Sequence, residues 1–433
     1  MMRHAPVLAL LAFLTFLPAG AFAQQQKTEP TFEDALASFN YGDDEMAAKN
    51  FWKLAGTGDA RAQYYLAYMM DSGLGMGKDE LTAVTWYRKA ADQEYLPAIV
   101  YMGYLYSTGH GVKQDEKEAF KWYTKAAQMG DAIAQNNLAT MLRAGKPYKK
   151  DSDLAAQWFL QAALQGNLRA QYNLATMYLQ GEGVQKNYTE AQRWYTFAAH
   201  QGDMYAQNAL AYMFRNGLGV EKNEDAAINW YRKAAEQKHL PSQLSLANIY
   251  ESRSTDPAQG AADAAVWYFH AAQQGSALAQ YRLGKMYELG LGVPKNQTEA
   301  VFWYKKATAG KKYVPAMTAL AKAYETGMGT RKDTQKSIDL LQEGASAGDG
   351  DAQLALAQMY HSGDSVPKNP GLAYKWFALA ADSLTDTDKK ASAVVGRIAA
   401  AKELKPQELD VARTNVSGFR PVEPRPDPAA PVR

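Results

Sequence analysis

Tryptophan recurs along this chain at a nearly constant spacing. Successive rings in a series of eight are separated by 36 or 37 residues, except for one interval of 73. The series is Trp86, Trp122, Trp158, Trp194, Trp230, Trp267, Trp303 and Trp376. Leu340 stands within the long interval, where the spacing would place another ring. A fixed period of this length indicates a stack of similar units, and it predicts nine of them over residues 59–381.

Each unit carries two helical patterns. In the second pattern, residues that can be buried recur at i, i+3, i+4, i+7 and i+8, which places them on one helix face. In the first unit these residues are Ala83, Trp86, Tyr87, Ala90 and Ala91. We therefore expect the tryptophan and its neighbours to form the buried face of the second helix, and the whole chain to be all-α.

Polar caps and glycine turns separate the helices. Seven residues before a ring position stands an Asp or Asn, whose side chain can accept a hydrogen bond from a free N–H group at the helix start. These residues are Asp79, Asp115, Asp151, Asn187, Asn223, Asn296, Asp333 and Asn369. Gly-x-Gly turns such as Gly181 and Gly183 join the two helices of a unit. Between units, Glu94, Lys238 and Lys311 replace the usual glycine, which we interpret as a second way of making the corner.

The repeated pattern is Ala-Gln-x-x-Leu-Ala-x-x-Tyr-x-x-Gly-x-Gly-Val, followed by Ala-x-x-Trp-Tyr-x-x-Ala-Ala-x-x-Gly. It resembles the Sel-one-like repeat (SLR), a relative of the tetratricopeptide repeat, and residues 170–202 match almost throughout. The resemblance implies a right-handed α-solenoid of about nine helix-turn-helix repeats with terminal capping helices. Members of that family mostly act as adaptors in protein–protein assembly, and bacterial members are often exported.

The two ends of the chain differ from the repeats. Residues 1–23 hold an apolar run that ends in Ala21-Phe22-Ala23, the small-x-small pattern of a cleavable secretory signal. The run is short for a membrane span, which makes an uncleaved anchor the weaker alternative. We expect capping helices at 24–58 and 382–419, because each end of a stack would otherwise expose apolar surface. The proline-rich tail at 420–433 is predicted to be disordered.

Composition narrows the range of functions. The net charge is +2 and no run of Lys and Arg occurs, which argues against nucleic acid as a partner. The sequence contains no cysteine, which excludes disulfides, thiolate nucleophiles and Cys-bound zinc. With the signal sequence, this composition predicts a bacterial periplasmic protein, with secretion as the alternative.

The sequence carries no recognisable catalytic motif. Its six histidines form no i, i+4 pair, so we predict no metal site and no cofactor; a convergence of distant His and Asp residues is an alternative without support in the sequence. Gly73–Lys78 superficially resembles a phosphate loop but aligns with the inter-helix turns, and we interpret it as a turn. Glutamines such as Gln171 recur at one first-helix position, and we expect their side chains to make structural hydrogen bonds to the backbone.

We do not expect an enzyme. The least favoured alternative is a hydrolase, because some cysteine-rich relatives of this repeat have been associated with β-lactams.

Three first-helix positions, which are 64, 65 and 68 in the first unit, lie on one face outside the core pattern. Read along the units, this first-helix strip contains Tyr64, Tyr65, Tyr68, Tyr101, Tyr104, Asn136, Asn137, Tyr172, Asn173, Asn208 and Tyr212. In the related tetratricopeptide fold the first helices line the concave groove. Tyr offers rigid apolar surface with a hydroxyl, and Asn can pair with a partner's backbone. We therefore predict that the strip binds a protein or peptide partner; the alternative ligand is envelope or exported polysaccharide.

Overall fold

The computed structural model describes residues 29–252, 257–309 and 313–422. Within these ranges the chain forms 22 α-helices and no strand. The predicted signal sequence and residues 423–433 of the predicted tail lie outside the described residues. None of the helices in the described ranges is both long enough and apolar enough to cross a membrane.

Nine consecutive helix pairs form the units. The first helices are α3 (Ala60–Ser72), α5 (Leu96–Thr108), α7 (Ala132–Ala144), α9 (Leu168–Gln180), α11 (Met204–Asn216), α13 (Leu240–Ser252), α15 (Ala277–Leu289), α17 (Val314–Thr326) and α19 (Gly350–Ser362). The second helices are α4 (Glu80–Asp92), α6 (Glu116–Gln128), α8 (Ser152–Leu164), α10 (Tyr188–His200), α12 (Glu224–Glu236), α14 (Pro257–Gln273), α16 (Gln297–Thr308), α18 (Thr334–Ser346) and α20 (Pro370–Ser383). The all-α repeat fold predicted from the tryptophan spacing is confirmed.

Four further helices flank the pairs: α1 (Phe32–Tyr41) and α2 (Asp44–Gly56) before them, α21 (Thr387–Lys402) and α22 (Pro406–Ser417) after them. The chain divides into two compact bodies. The N-terminal body extends to Ala206 and includes Leu218–Val220, and the C-terminal body contains Gln207–Gly217 and the chain from Glu221 onwards. Each body is described by itself below.

The predicted caps form as expected. All eight Asp and Asn residues named above are N-caps, and each side chain accepts a backbone N–H bond in the first turn. The Asp151 carboxylate, for example, accepts from the Leu154 N–H at 2.9 Å. The segment at Gly73 is a turn, in which Gly73 and Gly75 have φ of 71° and 65°. These bonds fix where each helix begins and ends.

The corners at Gly166, Glu94 and Lys238 each contain a residue in the left-handed region. Gly166 has a φ of 84°, and Glu94 and Lys238 adopt φ of 60° and 65° although each carries a Cβ. The interpretation of a second kind of corner therefore holds only for the helix start. Tyr95 makes no side-chain capping bond and Pro97 lies in the first turn of α5, whereas Asn167 caps α9. Glu94 and Lys238 keep the left-handed turn, at a steric cost of about 1–2 kcal/mol each. Lys311 lies outside the described residues.

The most deeply buried ring of a second helix is the one that follows the tryptophan. Tyr87, Phe159 and Tyr268 are fully buried, whereas Trp86 and Trp158 are only half-buried. The Trp86 ring lies edge-on to Trp52 of α2, with centroids 6.4 Å apart. The predicted buried face is thus correct for the alanines and the tyrosine. For the tryptophan the prediction holds at Trp194, Trp303 and Trp376, which are buried, and only in part at Trp86 and Trp158.

The recurring glutamines make the structural bonds predicted for them. Gln171 Nε2 donates to the Ala163 carbonyl at 3.2 Å, and Gln171 Oε1 accepts from Gln201 Nε2 at 3.2 Å. Other glutamines that donate to the carbonyl eight residues earlier are Gln63, Gln135, Gln243, Gln280 and Gln353. Because these side chains are buried and bonded within the fold, they are not available to a ligand.

Aromatic and small residues attach the flanking helices to the stack. In the N-terminal body, Phe51 of α2 stacks on Tyr65 of α3 with centroids 5.1 Å apart. In the C-terminal body, α21 packs on α20 through the buried Ala393 and Ala400. The Val422 N–H donates to the Ser346 carbonyl at 3.0 Å, so the chain contacts this body as far as residue 422.

Candidate binding surface

The hydroxyl groups of second-helix tyrosines form hydrogen bonds with side chains of the first-helix strip. In the N-terminal body, the Tyr195 hydroxyl lies 2.9 Å from Thr176 Oγ1. In the C-terminal body, the Tyr268 hydroxyl lies 2.7 Å from two acceptors, Asn248 Oδ1 and Glu251 Oε2, which compete for its single proton. Burial, the largest cause, raises the pKa of Tyr195 to about 12. Its hydroxyl group therefore stays protonated well above neutral pH. These hydroxyl groups give the strip polar contacts with the second helices.

Tyrosines at the start of the strip contact one another across units. The Tyr64 ring lies 5.5 Å from Tyr87 and 6.4 Å from Tyr101, and Tyr101 lies 5.4 Å from Tyr104. Burial raises the pKa of Tyr64 to about 12. The Tyr101 hydroxyl donates to Asp71 Oδ2 at 2.9 Å. Tyr64 and Tyr101 are thus half-buried parts of a packed aromatic cluster.

Two tyrosines of the strip face solvent: Tyr104, which packs on Tyr101, and Tyr68, whose ring lies 6.0 Å from Phe39 of α1. Tyr68 is 37% exposed and Tyr104 is 45% exposed. Tyr65, in contrast, packs among Phe32, Phe39 and Phe51 of the flanking helices, at 5.7, 5.7 and 5.1 Å. The structure therefore brings Tyr68 and Tyr104 to the surface and assigns Tyr65 to the attachment of α1 and α2.

Hydrogen bonds connect three asparagines of the strip, and one of these bonds joins two units. Asn173 Nδ2 donates to Asn136 Oδ1 at 3.2 Å, and Asn136 Nδ2 donates to Asn137 Oδ1 at 3.3 Å. Asn136 is only 6% exposed, so it joins neighbouring first helices and is poorly placed to contact a partner. Asn137 and Asn173 are half-buried, as is Tyr172, which lies 5.6 Å from Tyr195.

The strip changes character in the C-terminal body. Asn208 Oδ1 accepts a hydrogen bond from Ser242 Oγ at 2.8 Å, while Tyr212 is 50% exposed. Further along, ion pairs replace the uncharged groups, such as Lys285 with Glu288 at 3.0 Å and Arg282 with Glu251 at 3.5 Å. The Glu288 carboxylate also accepts from the Tyr304 hydroxyl at 2.5 Å. The strip is therefore mostly uncharged in the N-terminal body and charged in the later units.

One cluster of potential metal ligands lies beside the strip in the N-terminal body. A nitrogen of His110, a carboxylate oxygen of Asp71 and one of Glu80 all lie within 4.8 Å of one another. His110 Nε2 is 2.6 Å from Asp71 Oδ1, and its Nδ1 is 3.9 Å from Glu80 Oε2. The sequence did not indicate this cluster, because metal ligands are recognised in a sequence by short spacings such as i and i+4, whereas these residues are 9 and 30 positions apart.

A cluster of opposite charge occupies the corresponding place two units later. Glu182 lies 39 positions after Arg143, just as His110 lies 39 positions after Asp71. The Glu182 carboxylate pairs with Lys150 at 2.7 Å and with Arg143 at 2.8 Å. The hydrogen bond from Lys150 is the largest cause of the lowered pKa of Glu182. The place where a turn meets the preceding unit is thus a recurrent site of polar contact.

The helix pairs are similar in length, buried glutamines bond neighbouring helices, and the exposed strip varies from unit to unit. These features define an α-helical repeat protein. Repeat proteins of this kind bind proteins, and a large ordered face rather than a single pocket is their means of doing so.

The Sel1 repeat model matches at residues 60–95, 96–131, 132–167, 168–203, 205–239, 277–311, 314–349 and 350–383. These segments make up more than half of the chain, and the protein belongs to the Sel1 repeat family. Sel1 repeat proteins are typically non-catalytic interaction scaffolds. The unmatched pair, α13 and α14, is the sixth of the nine units along the chain. Its second helix, α14, has 17 residues, whereas the other second helices have 12 to 14.

Two solved structures extend the comparison. A Sel1 repeat protein from Oxalobacter formigenes is 32% identical over 67% of this chain and 87% of its own, with a TM-score of 0.54. A protective antigen of uropathogenic Escherichia coli strains with an SLR fold is 29% identical over 86% of this chain and 94% of its own, with a TM-score of 0.50. No curated protein matches the chain.

Proposed function

We propose that this protein is an exported, periplasmic scaffold that binds an extended peptide segment of a partner protein along the first-helix strip of its N-terminal body. The observation that carries the proposal is the exposure of Tyr68 and Tyr104 above a packed, mostly uncharged layer. Tyr101 packs against the Tyr104 ring and Phe39 against the Tyr68 ring, so that little side-chain entropy is lost on binding. Half-buried amides of Asn137 and Asn173 continue the strip.

An extended peptide fits the chemistry of this surface. Its backbone presents alternating donors and acceptors, which amide and hydroxyl groups can match without a charged partner. Its apolar side chains can cover the faces of the tyrosine rings. Amides and aromatic rings also suit a sugar, so envelope or exported polysaccharide is the second candidate, and the experiment must separate the two ligands.

Replacing both Tyr68 and Tyr104 by alanine is expected to weaken binding of the partner at least about 10-fold, because both rings lose their contact area while the packed layer stays. The partner is first captured by a photo-crosslinking phenylalanine analogue at position 104 in living cells, and identified by mass spectrometry. Its affinity for the purified variants is then measured by calorimetry.

The matched control is Tyr148→Ala. Tyr148 is 48% exposed, much like Tyr104, but lies in the turn before α8, against Phe120 of a second helix. We expect this variant to bind within about 2-fold of wild type. Unchanged affinity in the double variant would contradict the proposal. Saturable binding of purified envelope glycans, lost in the double variant, would assign the strip to polysaccharide instead.

Export is tested separately at the predicted signal sequence. We expect the mature protein to begin at Gln24 and to appear in the periplasmic fraction, because Ala21 and Ala23 fit the small-residue requirement of signal peptidase. Ala23→Trp is expected to leave the precursor uncleaved and membrane-bound. Full-length protein beginning at Met1 in the cytoplasmic fraction would contradict export without affecting the binding proposal.

A further inference from the structure

The turn between α5 and α6 presents a histidine to two carboxylates of the preceding unit. Gly109 and Gly111 have φ of 77° and 65°, and they place His110 at the tip of the turn. A Cβ added to Gly111 would lie 2.9 Å from the Glu80 carbonyl oxygen, so the turn packs directly on the start of α4. The approach of His110 to Asp71 and Glu80 is therefore set by the contact between two units.

We propose that Asp71, Glu80 and His110 form a binding site for a divalent transition-metal ion such as Zn²⁺. One imidazole nitrogen and two carboxylate oxygens match a three-ligand protein site that leaves a coordination position open. Zinc bonds of about 2.0–2.2 Å place neighbouring ligand atoms roughly 3–3.5 Å apart. Asp71 lies nearest Nε2 of His110 and Glu80 nearest Nδ1, so one carboxylate must rotate toward the nitrogen that binds the ion. The rotation is short, because one ligand atom from each residue already lies within 4.8 Å of the other two.

The surroundings of the cluster support a ligand role. The Tyr101 hydroxyl bonds Asp71 Oδ2 at 2.9 Å and leaves Oδ1 directed at His110, as outer groups that orient metal ligands do. Asp71 is nearly buried, with 9% of its side chain exposed, whereas His110 and Glu80 are 34% and 36% exposed, so an ion can enter from solvent. Imidazole favours zinc, nickel or copper over calcium and magnesium.

Charge balance points the same way. At the corresponding place two units later, Glu182 is matched by two cations, Arg143 and Lys150. In the first cluster, the carboxylates of Asp71 and Glu80 lie beside the His110 imidazole. Lys78 pairs with Glu80 Oε1 at 2.6 Å. With His110 neutral, this group carries a net charge of −1, which a divalent cation would more than offset.

The test uses the mature protein after removal of metals by a chelator. Titration of Zn²⁺ at neutral pH, followed by calorimetry, is expected to show saturable binding of one ion and a rise in Tm. His110→Gln and Asp71→Asn should each weaken binding at least 30-fold, and Glu80→Gln should weaken it several-fold. Circular dichroism checks that each variant keeps the helical fold of wild type.

His361→Gln is the matched control, since His361 faces a single carboxylate, Glu403, at 3.7 Å. It should bind Zn²⁺ as wild type does. The proposal is overturned by wild-type protein that shows no saturable binding up to 1 mM Zn²⁺. It is also overturned if His110→Gln and wild type bind with the same affinity, since the ion then binds elsewhere.

Discussion

Gly183→Ala is expected to destabilise the N-terminal body by about 3–4 kcal/mol. Gly183 has a φ of 66°, which costs a residue with a Cβ about 1–2 kcal/mol. The added Cβ would also lie 2.1 Å from the Ser152 carbonyl oxygen, far inside the contact distance. The Cβ would meet a backbone carbonyl group, which cannot rotate away as a side chain can. The turn must therefore move away from α8, which opens the contact between two units.

Gly166→Ala separates these two causes. Gly166 has a φ of 84°, but a Cβ there would meet no atom within 4 Å. This variant should lose only the conformational part, about 1–2 kcal/mol. Chemical unfolding followed by circular dichroism gives the stabilities, and hydrogen exchange of α8 and α9 shows whether the loss is local. Equal losses in the two variants would mean that the close approach at Gly183 contributes nothing.

The repeat could be predicted because its signals are local and periodic. Capping by Asp151, the turn at Gly181 and Gly183, and the backbone bond of Gln171 each depend on residues within about ten positions. Nine copies of the pattern made each of these interpretations testable within the sequence itself. At Glu94 and Lys238 the sequence indicates a different corner but does not reveal that the left-handed conformation is kept without glycine.

The surface could be predicted only in part. Helix geometry placed Tyr65 and Tyr68 on one face, but only the packing of α1 and α2 leaves Tyr65 half-buried and Tyr68 exposed. Asn136 likewise becomes internal through a bond from Asn173, 37 positions later. The Asp71–His110 contact had a usable signal, since Arg143 and Glu182 show complementary charge at the same spacing of 39 residues.

Gly396→Leu is expected to detach the C-terminal flanking helices from the last repeat, at a cost of about 3 kcal/mol to the C-terminal body. A Cβ on Gly396 of α21 would lie 2.4 Å from the Cζ atom of the Phe377 ring. Phe377 is only 3% exposed and packs in the core of α20, so the ring cannot turn away. The substitution favours the helix itself, since leucine is the better helix former. Any loss of stability therefore comes from the contact between helices.

Ser392→Leu adds the same side chain at an exposed position of α21, one turn earlier, and should change stability by no more than about 0.5 kcal/mol. In the Gly396→Leu variant, hydrogen exchange should increase in α21 and α20, because displacing α21 leaves Phe377 and Ala380 open to water. Light scattering should then show association that grows with concentration, since an uncovered end of a repeat stack is an apolar face. If neither leucine variant associates more than wild type and both unfold at the same denaturant concentration, α21 does not act as a cap. The last repeat would then be stable without it.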